Sequence, residues 1–239
     1  MAEKSKRRPR SRFWGLVVKA VRESDMSAFR WRNLDKTKIL VPFRMLLHPV
    51  DACSDIKYEG RGSLALANGM ALLFFVLSVV KAVAYGFIFN EGSDAPFNVW
   101  PVFLQSLGLL LLWTLSSWSL STLLDGEGKL REIWTTLCYC TLPYILLIPV
   151  AVLLSHVLTA EESYFILLIE AVMGLWTLLL LFASTMVVQQ YTVKKTVFIM
   201  LLSAAGILAV MFLAILFFSL FQQLFIFLDT VYKEWMFRG

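Results

Sequence analysis

Five long runs of apolar residues, separated by short polar stretches or stretches bearing glycine and proline, set the layout of this chain. The first covers about residues 64–87, opening after Arg61-Gly62-Ser63 and closing at Asn90, with Gly92, Asp94 and Pro96 in the loop that follows. The second covers about 99–124 and stops at Asp125-Gly126-Glu127-Gly128. The third starts near Ile133, carries Pro143 and Pro149, and ends by Leu158; the fourth is about 164–188 and the fifth about 196–220. A bilayer crossing needs about 20 apolar residues at a rise of about 1.5 Å each, and every run reaches that length. The runs are continuously apolar instead of alternating, which excludes a β-barrel. The pattern predicts an all-α integral membrane protein, a five-helix transmembrane bundle with N-terminal interfacial helices.

Those interfacial helices are expected within residues 13–47, where Trp14, Phe29, Trp31, Phe43, Met45, Leu46 and Leu47 alternate with basic residues at helical spacing. Pro42 and Pro49 are expected to break them. Residues 48–59 then read as a short polar connector, with His48 as a turn or cap residue before Pro49. Three parts follow: a basic cytoplasmic or interfacial segment over 1–47, a membrane domain over 48–220, and a C-terminal amphipathic piece over 221–239. The last is expected in the outer interface through Phe225, Phe227, Trp235 and Phe237.

Composition agrees with the pattern. Of 239 residues 59% are hydrophobic and only 16% charged, where a soluble domain carries about 25% charged residues. The net charge of +5 is uneven, for residues 1–63 hold 15 of the 22 Lys and Arg against 7 of the 17 acids. Arg7, Arg8, Arg10 and Arg12 lead directly into the apolar Phe13 and Trp14, so the expected partner is anionic phospholipid and not nucleic acid. Along the connections, Lys and Arg are absent from 90–98 and 159–163 but present as Lys129, Arg131, Lys194 and Lys195 in the alternate loops. The positive-inside rule then places the head and these four residues in the cytoplasm and the C-terminus outside.

Chemistry-bearing residues are few. Cys53, Cys138 and Cys140 with His48 and His156 supply neither a disulfide framework nor the four ligands of a zinc site, and the Asp125-Gly126-Glu127-Gly128 turn is too short for a calcium loop. No metal and no cofactor is expected, and no constellation points to an enzyme. Inside the spans only Lys81 and Glu170 are charged. Each falls about seven residues from the same end of its span, close enough in depth to pair, and an intramembrane charge needs a partner or a wet cavity. Gln105 and His156 fall at similar depth, making a candidate outer polar cluster. Ser116, Ser117, Ser119, Ser121, Thr122, Thr135 and Thr136 near the inner ends suit helix packing.

Some of these residues also carry a likeness. His48-Pro49, Asp55 to Glu59 with Tyr58, Arg61-Gly62-Ser63, Gly86 to Asn90, Leu124-Asp125-Gly126-Glu127-Gly128, and Tyr139 with Leu142-Pro143-Tyr144 resemble the bacterial branch of the Yip-one domain family, over about residues 45–228. The resemblance implies five spans, a cytoplasmic N-terminus and a bacterial cell membrane. Eukaryotic members bind Rab GTPases, but this chain lacks their Asp-Leu-Tyr-Gly-Pro stretch and long polar tail, which argues against a Rab partner. Bacterial members resemble accessory proteins encoded near carbohydrate ABC transporters. The resulting expectation is a non-enzymatic membrane scaffold or accessory protein that binds a membrane or cytoplasmic partner and anionic lipid. The alternative is a transport component, an accessory subunit of an ABC importer or a small channel.

Overall fold

A computed structural model describes residues 36–86 and 97–238, with the side chains of 36–38, 160, 231, 232 and 234–238 left aside. The basic residues Arg7, Arg8, Arg10 and Arg12, and the rest of the head through 35, lie outside the described residues. Among these residues eight α-helices follow one another: α1 (Lys36–Leu47), α2 (Pro49–Tyr58), α3 (Leu64–Ala84), α4 (Val99–Leu123), α5 (Leu130–Cys140), α6 (Leu142–Ser155), α7 (Ser163–Gln189) and α8 (Val193–Arg238). Among the described residues there is no strand. Five helical units among the described residues are long and apolar enough to cross a membrane, namely α3, α4, α5 with α6, α7 and α8. The all-α, five-span architecture read from the sequence is therefore the architecture found.

Local chemistry explains most boundaries. The Ser63 side chain accepts from the Leu66 N–H at the start of α3, and Asn98 Oδ1 accepts from the Trp100 N–H at 3.0 Å at the start of α4. Within α4, residues Leu104–Gly108 form one π-helical turn. The third span is two helices because Pro143, early in α6, has no N–H to offer the preceding turn. Thr141 closes the end of α5 at this break, its N–H and its Oγ1 both donating to the Cys138 carbonyl, at 3.3 and 2.7 Å. This broken span is the centre of the bundle, with Leu137, Cys138, Tyr139, Cys140 and Leu142 all buried.

Two expectations need revision. Pro42 does not break α1, which runs on to Leu47. Val41 and Met45, one turn apart, are both buried in the central core, and that burial holds the turn together across the proline. The 48–59 connector is instead a helix, α2, with Pro49 at its first turn, Asp51 near its N-terminus and Lys57 near its C-terminus. Its Ala52, Cys53 and Ile56 are buried in the same core as Met45, Cys140 and Leu180. Beyond the fifth apolar run, α8 continues as helix to Arg238. No glycine or proline stands between Gly206 and Gly239 to interrupt it.

Candidate functional site

One end of the bundle gathers α2, the 124–129 turn and the 190–192 turn, with Lys129 and Arg131 where the first turn enters α5 and Lys194 and Lys195 where the second enters α8. Packing here is tight enough to demand glycine. A Cβ on Gly126 would lie 2.5 Å from Gln189 Oε1 and 2.6 Å from Ser121 Cβ, and would press on the Tyr191 hydroxyl. A Cβ on Gly128 would lie 2.8 Å from the same Gln189 oxygen, which accepts the Gly128 N–H at 3.1 Å. A Cβ on Gly62 would meet Ile56 Cγ2 at 2.9 Å. Asp125 and Gln190, at φ 55° and 57°, supply the left-handed residues that turn the chain at each loop.

Charged side chains lace this end together. Lys57 Nζ reaches Glu127 Oε2 at 3.2 Å and the Val188 carbonyl at 3.0 Å, joining α2 to the turn and to the end of α7. Asp55 Oδ2 accepts from Arg44 at 2.7 Å and from Arg61 at 3.4 Å, and Arg61 Nε also holds Glu59 at 2.6 Å. Lys195 Nζ donates to the Leu124 carbonyl at 2.7 Å and sits 4.4 Å from the centre of the Tyr191 ring. Burial first, and the nearby Asp125 charge second, push the Tyr191 hydroxyl above its ordinary pKa. Tyr139, fully buried, clasps the start of α3 by accepting the Ser63 N–H at 3.2 Å and donating to the Ser63 carbonyl at 3.3 Å.

The other sequence-derived positions fall as follows. His48 caps α2 without a side-chain bond, Tyr58 is exposed, and Pro143 is buried. Lys129, Arg131 and Lys194 are exposed and, among the described residues, take part in no ion pair. Lys195 is different, being tied into the fold. At the opposite end Lys81 Nζ meets Glu170 Oε1 at 2.7 Å, and the Tyr85 hydroxyl donates to the same oxygen at 3.0 Å. Gln105 and His156 are exposed and not hydrogen-bonded to that pair; His156 Nδ1 lies 2.8 Å from the Val152 carbonyl of its own helix. The three cysteines are free and buried, and no group of three or more metal-ligating side chains occurs among the described residues.

A family model of the Yip1 domain matches residues 43–236. The chain belongs to the Yip1 domain family. A search of curated proteins and a search of solved structures each find no match to it. The Yip1 domain thus begins inside α1 and ends near the close of α8. The residues that carried the family likeness in the sequence are largely those that knit the basic end: Gly62, Gly126, Gly128, Glu59, Asp55 and Tyr139.

Several residues at the two ends carry roles that the sequence reading does not assign. Tyr85 follows Lys81 by four residues, a spacing that marks one face of a helix and was open to reading. Gln189 and Tyr191 gave no such signal, because their partners Gly126 and Gly128 are about 60 residues distant. Among the described residues Gln189 Nε2 has no partner, and Gln189 lines a cavity of about 10 Å³ with Ser117, Thr136 and Ser184. A space of that size holds about one water.

Proposed function

We propose that this Yip1 domain protein is a non-enzymatic membrane scaffold or accessory protein, with the Gly126–Gln189 end as its cytoplasmic face. That face holds anionic phospholipid and docks a membrane or cytoplasmic partner. The observation that carries the reading is the trio Lys129, Arg131 and Lys194. At an end where Lys57, Arg44 and Arg61 are all neutralised by carboxylates, these three cations are exposed and, among the described residues, form no ion pair. Fixed positive charge on a rigid, glycine-locked surface suits a negative leaflet, where each basic residue gains about 1 kcal/mol. The same charges support a cytoplasmic position for this end by the positive-inside rule, in the bacterial cell membrane of the proposed reading.

Transport through Lys81 and Glu170 is the second reading, including service as an accessory subunit of an ABC importer. Their 2.7 Å contact, with Tyr85 on the same carboxylate, satisfies the charges internally, which supports a structural pair. The one-water cavity by Gln189 likewise fits packing better than a pathway.

The test is native mass spectrometry of the purified protein titrated with phosphatidylglycerol or phosphatidylcholine. The variant K129Q/R131Q/K194Q should lose about 3 kcal/mol of phosphatidylglycerol binding, on the order of 100-fold. Phosphatidylcholine binding should not change. Equal phosphatidylglycerol binding by variant and wild type would remove the assignment of this face.

A further inference from the structure

The last helix is too long for the membrane that fits the other four spans. Its stretch between Lys195 and Asp229, free of charged residues, has 33 residues, where the other candidate spans have 21 to 27 in all. At 1.5 Å per residue it is about 50 Å long. A tilt of about 40°, the top of the usual range, still leaves about 38 Å to fit a hydrocarbon core of about 30 Å.

Only the beginning of α8 is packed. Thr196, Ile199, Ser203 and Ile207 are buried at helical spacing, and the Ser116 hydroxyl of α4 donates to the Ser203 carbonyl at 3.0 Å. From 208 to 230 every residue is exposed. Two faces emerge in the final part. Phe217, Leu220, Phe221, Leu224, Phe225 and Leu228 recur at intervals of three and four, and ring centroids stand 5.2 Å apart for Phe217–Phe221 and 5.7 Å for Phe221–Phe225. The opposite face carries Ser219, Gln222, Gln223, Thr230 and Lys233, with Ile226 the one apolar residue among them. Lys233 pairs with Asp229 at 2.6 Å at its edge.

We propose that residues 217–233 lie in the membrane interface on the side away from the basic end, phenylalanine face in the acyl boundary and glutamine face in water. A straight continuation out of the bilayer would hold Leu224, Phe225 and Leu228 in water. A protein partner enclosing the helix would have to strip water from Gln222, Gln223 and the Asp229–Lys233 pair. An interfacial course meets neither cost, since a helix with one apolar and one polar face settles about 5–10 Å into the headgroup boundary. With no proline or glycine after Gly206 until the last residue, α8 reaches this course by tilt and gradual curvature instead of a break. The assignment is independent of the lipid reading of the basic end, because it concerns the opposite leaflet and different residues.

Nitroxide labels on single cysteines introduced at Leu213, Phe221, Gln222, Phe225, Leu228 and Thr230 test it. All six positions are exposed, and the native cysteines are buried. The full-length protein is reconstituted in phosphatidylethanolamine–phosphatidylglycerol vesicles, and oxygen and nickel-chelate accessibilities are read by power saturation. The expected result is a deep label at 213, labels at 221, 225 and 228 at one shallow depth within about 5 Å of each other, and nickel-accessible labels at 222 and 230. A depth change of about 10 Å from 221 to 228 would mean a straight exit and overturn the proposal. Low accessibility to both reagents at all positions from 221 onward would mean a protein cover and would overturn it equally.

Discussion

Replacing Gly126 with alanine probes whether the basic end is held by close packing. The added methyl would sit 2.5 Å from Gln189 Oε1 and 2.6 Å from Ser121 Cβ, with the Tyr191 hydroxyl nearer still. Contacts that short force neighbours to move. Gln189 is fully buried and bound to Gly128 N–H, and Tyr191 is buried beneath Lys195, so none of the three yields freely. Overpacking a dense site costs about 1–3 kcal/mol, and displacing Gln189 adds about 1 kcal/mol for its hydrogen bond, giving a loss of about 2–4 kcal/mol. For a chain of this size that is a fall of about 5–15 °C in apparent Tm. The assay is thermal aggregation in mild detergent, followed by size-exclusion chromatography. Gly69→Ala is the control, because an added Cβ there meets nothing within 4 Å, and removing a glycine from the helix interior gains about 0.5–1 kcal/mol. If Gly126→Ala and Gly69→Ala melt together at or above wild type, the packing account of this turn is wrong.

Three further outcomes follow from the same structure. Lys81→Leu alone strands the Glu170 carboxylate within a span; both side chains are about one-third exposed (32% and 39%), so the intramembrane cost is discounted to about 1–2 kcal/mol. The double variant with Glu170→Leu should recover most of that loss, and a double variant less stable than the single would contradict the pairing. Tyr139→Phe should cost about 1–2 kcal/mol in the same assay by releasing both Ser63 contacts, and an unchanged midpoint would show the clasp to be idle. Burial first and the Cys140 charge second push the Cys53 thiol upward, so its neutral form is favoured in the fold. Its stabilising effect is complete below the unfolded thiol pKa and is lost as pH rises past it. Maleimide should therefore label none of the three native cysteines at pH 7 or 8.5, and all three in denaturant; labelling of Cys53 in the native protein would refute its burial.

What the linear pattern determined is everything that depends on neighbours within a few turns. Uncharged runs longer than a bilayer is thick leave the backbone no stable option but helix, so five spans follow from hydropathy alone. Lys81 and Glu170 were legible as partners because depth along a span is a count of residues, and the Gly-rich turn was legible because its residues are consecutive. What only the tertiary structure decided are matters of contact between distant residues. The burial of Met45 carries α1 through Pro42, and the burial of Ala52, Cys53 and Ile56 makes a helix of a stretch whose composition reads as a connector. Gln189 and Tyr191 make Gly126 and Gly128 necessary from some 60 residues away. Arg44 and Asp55, on separate helices, meet only once those helices pack under the bundle. Local periodicity reports which face is apolar; it does not report what that face will touch, because partners in a folded chain are chosen by shape and proximity in space.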